Sequence, residues 1–160
     1  MKHLLIERFT THRDLGTLSM ASFPSIPSTN AKFPYLEPPW ANNEPYKSCV
    51  PPGVYTGIWD NSPKYGDVYF LLGGTVVKNS YDLSHGATRF ACIAGHGANW
   101  HYQLQGCGAF GMAKIENHIG RPGSNRRSHM ITSSKKALGK VHDILERDPI
   151  IQITIAWAAP

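Results

Sequence analysis

The sequence predicts a mainly β domain of the α+β kind: a compact β-sheet or barrel-like body, one helix in the C-terminal half, and a closing strand. Three observations predict it. Short runs rich in aromatic and β-branched residues alternate with period two, as in Val54-Tyr55-Thr56-Gly57-Ile58-Trp59. Glycine, proline and asparagine punctuate the spaces between such runs. One stretch alone, with Ala137, Leu138, Val141, Ile144 and Leu145, carries apolar residues at helical spacing.

Taken in order, Leu4 to Thr11 reads as a strand, and Leu15 to Ala21 as its partner across the Arg13-Asp14-Leu15-Gly16 turn. From Phe23 to Pro52 the chain is rich in proline, asparagine and serine and reads as a long irregular excursion. Its apolar residues Phe33, Tyr35, Leu36, Trp40 and Tyr46 need something to pack on. Pro51-Pro52-Gly53 ends that excursion and a strand follows to Trp59, with Asp60 to Gly66 a loop. Val68 to Leu72 reads as a short apolar strand stopped by Gly73-Gly74. Arg89 to Ala94 and Cys107 to Ala113 read as further strands, and Gly120 to His129 as a basic loop. Ser133 or Ser134 caps the helix, and Gly139 weakens it by about 1 kcal/mol relative to alanine. Asp148-Pro149 ends it, and Ile150 to Ile155 is the closing strand. Residues 1–160 read as a single domain.

Composition narrows the function classes. Hydrophobic residues make up 41% of the 160 and charged residues 17%, a globular balance that excludes wholesale disorder. The apolar run Leu4-Leu5-Ile6 is broken by Glu7-Arg8, too soon for a signal peptide, and no stretch is long enough for a membrane span. Synthesis in the cytoplasm is therefore expected. The formal net charge is +5, and basic residues thicken late, at Arg121, Arg126, Arg127, Lys135, Lys136 and Lys140. Such a balance favours anionic partners, phosphate backbones or anionic envelope polymers; the competing reading is a solvated surface that keeps the protein soluble. No nucleic-acid motif accompanies them, which ranks nucleic acid last among the partners.

The three cysteines, Cys49, Cys92 and Cys107, are odd in number and form no CxxC pair, which argues against a disulfide framework and a zinc knuckle. Cys92, within Phe90-Ala91-Cys92-Ile93-Ala94, reads as a small core residue. His85, His96, His101, His118 and His129 stand in no HxxxH or HExxH frame, so no metal site is expected. Walker A and Rossmann motifs are absent, so no cofactor is expected either.

The densest cluster of reactive residue types is Gly95-His96-Gly97-Ala98-Asn99 followed by Gln105-Gly106-Cys107-Gly108. A thiolate is the working nucleophile of a cysteine, and a neighbouring imidazole is what raises its population near neutrality. Flanking glycines let a substrate backbone approach, and their amides can serve as an oxyanion hole. If the two segments form an antiparallel hairpin turning near His101-Tyr102, His96 lies directly opposite Cys107, with Cβ atoms about 4.5–5.5 Å apart. The competing reading leaves Cys107 as a small residue where strands pack closely and His96 as a loop histidine.

A further ordered set of short matches runs along most of the chain: Leu5, Arg8 and Leu15-Gly16-Thr17-Leu18, then Leu36-Glu37-Pro38 and Cys49-Val50-Pro51-Pro52-Gly53-Val54-Tyr55. Arg89 precedes His96-Gly97-Ala98-Asn99; Gly106-Cys107 with Gly111, Ser134, Ala137 and Leu138, and Ile151 to Ile155 complete the set. In this order the chain resembles the domain of unknown function 5675 family of bacteria and tailed phages. The His-Gly and Gly-Cys arrangement is also similar to that of L,D-transpeptidase catalytic domains. That resemblance implies Cys107 as nucleophile and His96 as base, with the Gly106 to Gly108 amides near the oxyanion. Asn99 or His101 would orient the imidazole, Arg89 would hold a substrate carboxylate, and Trp100 would line the substrate.

Two readings of different classes follow. One is a phage or bacterial cell-wall protein with a cysteine-dependent acyl-transfer or peptidase site acting on peptidoglycan peptides. The other is a non-catalytic virion or envelope-binding module, in contact with an envelope polymer or other virion proteins, whose surface is made by Trp40, Trp59, Trp100 and the basic stretch from Arg121 to Arg127. Nucleic-acid binding through that stretch is the third.

Overall fold

The computed structural model describes residues 1–73, 76–77, 89–93, 100–104, 106–119 and 126–159. Along the chain run β1 (His3–His12), β2 (Gly16–Ser22), β3 (Phe33–Glu37), β4 (Gly53–Ser62), β5 (Gly66–Leu72), β6 (Val76–Val77) and β7 (Arg89–Ile93). A 3-10 turn (His101–Gln103), β8 (Ala109–Phe110), β9 (Ala113–Ile119), β10 (Arg127–Thr132), α1 (Ser134–Ile144) and β11 (Ile150–Trp157) follow. The mainly β fold, with one α-helix among the described residues, is as the sequence predicts.

Nine strands form one curled sheet in the order β6-β7-β5-β4-β11-β1-β2-β3-β8, and β9 pairs with β10 as a separate ribbon. The curl brings its ends together: Ile93, the last residue of β7, bridges in parallel to Gly108, just before β8. At the centre β11 lies parallel to β1 and antiparallel to β4.

Alternation decides what faces inward. Leu4 and Ile6 of β1 and Ile151, Ile153 and Ile155 of β11 are sealed from solvent, and their sequence neighbours are more exposed. Ala137 and Val141 of α1 and Leu145, which caps its C-terminus, join the same core, with Tyr69, Leu71 and Phe110. Burying each large aliphatic side chain is worth about 1.5–3 kcal/mol, so this contact rather than intrinsic propensity holds an 11-residue helix containing Gly139. The expected serine cap is not made. Ser133 is the capping residue but sits at φ 52° with no side-chain bond to the helix.

Four expectations are corrected. The proline-rich excursion contains β3, every residue of which is buried, because β2 flanks it on one side and β8 on the other. Pro34, which has no N–H, sits past the end of the two-residue β8 ladder, where its carbonyl accepts from the Gly111 amide at 2.8 Å. The Asp60–Gly66 loop shrinks to a hairpin turn: β4 runs to Ser62, β5 starts at Gly66, and these two residues pair. Gly66 takes φ 75°, as a tight return demands. Cys107 to Ala113 is not one strand; it breaks after Phe110, where Gly111 packs so close to Ile131 that a Cβ would lie 2.6 Å from that residue's own. The basic loop gives way to β10 at Arg127, while 120–125 lie outside the described residues.

Arg8 occupies the next inward position on β1 after Leu4 and Ile6, and is 1% exposed. Its guanidinium donates from Nε to Glu37 Oε2 at 2.9 Å and from Nη2 to Glu37 Oε1 at 2.7 Å and to the Val50 carbonyl at 2.7 Å. One buried cation therefore grips both ends of the loop between β3 and Val50.

Candidate functional site

Cys107 lies at the seam where the sheet's two ends meet. Gly106 before it adopts φ 91°, and Gly108 after it is buried so tightly against Tyr35 that a Cβ there would overlap the phenol. The Cys107 side chain is half-buried against Val68 and Phe70. Its amide donates to the Leu104 carbonyl at 3.0 Å, so that N–H is engaged within the protein rather than aimed at an oxyanion.

The turn expected near His101-Tyr102 is a short coil. His101–Gln103 coils into a 3-10 turn closed by Gln103 N–H to the Trp100 carbonyl (3.1 Å) and Leu104 N–H to the His101 carbonyl (3.0 Å). Trp100 bridges antiparallel to Met130 of β10, and Ile93 bridges in parallel to Gly108. His96, Asn99 and the side chain of Arg89 lie outside the described residues.

His101 is buried, and its ring engages the β1–β2 turn. Its Nε2 bonds the Asp14 carbonyl at 2.8 Å and its amide donates to Ser128 Oγ at 3.2 Å. Burial holds its pKa below the ordinary imidazole value, partly offset by the bond to Asp14. Trp59, proposed for a binding surface, packs edge-on to Tyr69 and His142 at 5.0 and 4.6 Å between ring centres. Trp40 is exposed on the loop that Arg8 grips, and Trp100 is half-buried, its ring parallel to Tyr102 at 6.1 Å.

The described residues converge elsewhere. A cleft of about 540 Å³ opens between the β1–β2 turn and the β9–β10 ribbon, lined by His12, Arg13, Asp14, Leu15, His101, Asn117, Arg126 and Arg127. A second hollow of about 330 Å³ shares Arg13, His101 and Arg126 with it and adds Tyr46, Lys47, Tyr102 and the Pro38-Pro39 segment. Three arginines face one carboxylate in the first. Arg13 and Asp14 approach to 3.7 Å, but their side chains are 90% and 66% exposed, so this ion pair is worth little. Arg126 lies 4.1 Å above the Tyr102 ring, a cation–π contact that orients the guanidinium, and Arg127 Nη1 donates to the Asn117 carbonyl at 3.1 Å.

Behind the cleft, His129 accepts the Asn117 amide on Nδ1 at 3.1 Å, and burial lowers its pKa too. With His101 and His129 both biased to the neutral form, the arginines supply the positive charge. Among the described residues no group of three or more His, Cys, Asp or Glu side chains is placed to hold a metal ion, and no helix is long and apolar enough to cross a membrane. Comparison with protein-family models, curated proteins and solved structures finds no match.

Arg126 and Arg127 were visible in the sequence as part of the late basic stretch. Arg13 was not: its signal was that of a turn residue, and only the curl of the sheet carries that turn to the ribbon. Asn117, at φ 52° on β9, had no sequence signal at all.

Proposed function

We propose that this protein is a binding module for an anionic polymer of the cell envelope, engaged through the cleft between the β1–β2 turn and β10. The observation that carries the reading is the convergence of Arg13, Arg126 and Arg127 on one open cleft with a single carboxylate among its described lining residues. Guanidinium forks match phosphate and carboxylate oxygens two at a time, and a cation-lined cleft concentrates anions. The ordered resemblance to the family of bacteria and tailed phages points to the envelope as the setting. The test is co-sedimentation of the full chain with purified sacculi that retain or lack their anionic polymers. Binding is expected only to the former, weakening as salt rises, and falling at least about tenfold in the Arg126→Glu/Arg127→Glu variant, a loss of about 1.4 kcal/mol. Binding indifferent to both salt and charge reversal would refute it.

One observation favours a second reading. Cys107 is partly exposed between Gly106 and Gly108, whereas Cys49 is sealed at 2% exposure. In this reading His96 deprotonates Cys107, and the thiolate attacks a peptidoglycan amide carbonyl. The amine leaves with the proton, and water or another amine resolves the acyl-enzyme. Muropeptide turnover by the wild type but not by Cys107→Ser supports it; equal turnover by both, or none by either, removes it.

A further inference from the structure

We infer that the cleft selects phosphodiester polymers whose repeating units carry hydroxyl groups, a polyol or sugar phosphate, over bare polyphosphate and over nucleobase-bearing strands. The inference rests on the envelope-binding reading and deepens it.

Three features of the site carry it. First, the cations are distributed rather than focused: Arg127 belongs to one hollow, Lys47 to the other, and Arg13 and Arg126 to both. That arrangement suits anionic groups repeated along a chain more than a single small anion. Second, Arg126 is oriented by the Tyr102 ring and Arg127 by the Asn117 carbonyl. Guanidiniums set in place before binding lose less freedom on gripping phosphate oxygens.

Third, the groups between the cations are wrong for the competitors. The Asp14 carboxylate projects into the same cleft at 66% exposure. A carboxylate repels a phosphate chain that has no donors, yet it accepts a hydroxyl hydrogen from a polyol. Its backbone is fixed at the edge of the cleft, the amide donating to His12 Nδ1 at 3.1 Å and the carbonyl bonded by His101. The Tyr102 ring already contacts Trp100 and Arg126, which leaves Tyr46, 60% exposed, as the open aromatic face among the described residues of the second hollow. Single-strand binders stack successive bases on successive aromatic faces, and one such face serves one base.

The test measures the affinity of the full chain for three probes of matched charge: poly(glycerol phosphate), inorganic polyphosphate and a single-stranded oligodeoxynucleotide. The glycerol polymer is expected to bind at least about tenfold more tightly than either competitor. Asp14→Asn keeps the shape and removes the charge. It is expected to raise polyphosphate affinity about three- to tenfold without raising that for the glycerol polymer, the scale of one like-charge or hydrogen-bond difference. Arg13→Ala should weaken all three. If polyphosphate or the oligonucleotide binds as tightly as the glycerol polymer, with full dependence on Arg13 and Arg126, the selectivity is wrong and the polyanion cleft stands. If no probe binds, or if binding ignores the arginines, the cleft reading falls with it.

Discussion

Replacing Glu37 by glutamine removes one charge from a pair that solvent cannot reach. Arg8 and Glu37 side chains are 1% and 3% exposed, and the guanidinium makes two hydrogen bonds to the carboxylate and one to the Val50 carbonyl. Breaking a buried pair on one side leaves the surviving charge without its counter-ion, which costs about 3–5 kcal/mol. For a chain of this length each kcal/mol moves the melting temperature by about 2–4 °C, so Glu37→Gln is expected to melt roughly 6–20 °C lower. The double variant Arg8→Met/Glu37→Leu removes both charges. It should recover all but about 1–3 kcal/mol of that loss, the remainder being the Val50 carbonyl left without its donor. Because Arg8 also holds the two ends of the loop carrying Lys47, both single variants should be cut by trypsin after Lys47 faster than the wild type. Calorimetry and chemical denaturation of the wild type, Arg8→Met, Glu37→Leu and the double variant complete the cycle. A single-variant loss below about 1 kcal/mol, or a double variant as damaged as the two singles added, would refute the idea that the pair acts as one buried unit.

Other outcomes follow from the same packing. His142 is buried beside Trp59 and Tyr69, and burial lowers its pKa to about 4. The unfolded chain, with an ordinary imidazole near 6.5, takes up the proton first. The contribution of His142 is therefore complete above about pH 6.5 and drains away as pH falls towards 4, by no more than about 3 kcal/mol. His142→Phe should flatten the stability profile over that window, measured by denaturation at fixed pH steps; an unchanged slope would remove His142 as its source, leaving His101 and His129, which shift the same way. Gly108→Ala should destabilise by about 1–3 kcal/mol or more, because the added methyl meets the Tyr35 phenol, and Tyr35→Phe should relieve only part of it. In the native protein Cys107 should be alkylated at least about tenfold faster than the sealed Cys49, read by peptide mass spectrometry. Faster labelling of Cys49 would contradict the packing around Thr17.

Strands with one wet face were legible because alternation writes itself into sequence: β1, β4 and β11 fall where the pattern puts them, and β2, buried along most of its length, where the turn before it does. So does α1, whose apolar stripe meets the sheet. β3 was illegible for the opposite reason. Its five residues are all buried, so they show no alternation, and Pro34 argues against a strand unless the ladder beside it is known to end. The Cys107–Ala113 run looked continuous since nothing local marks a switch from the sheet to the β9–β10 ribbon; the contact of Gly111 with Ile131 forces it. At the site, residue chemistry drew attention to Cys107 and His96, yet the proposed register depended on a turn without the usual glycine or asparagine. The chain coils there instead. The cleft joins Arg13 to Arg126 across more than a hundred residues, a meeting that depends on the curl of the whole sheet and leaves no short-range mark.

The parallel pairing of β1 with β11 sets an order on how this molecule can be made. Two strands far apart in the sequence belong side by side, with β11 wedged between β1 and β4. Until β11 is in place, β1 and β4 each lack a neighbour on one side, the sort of edge that recruits stray chains. Closing the sheet is therefore slow for a domain of this size, since its central contacts join residues far apart in sequence. Fusions placed at the two termini would leave from opposite ends of the central strand pair, far enough apart to act independently.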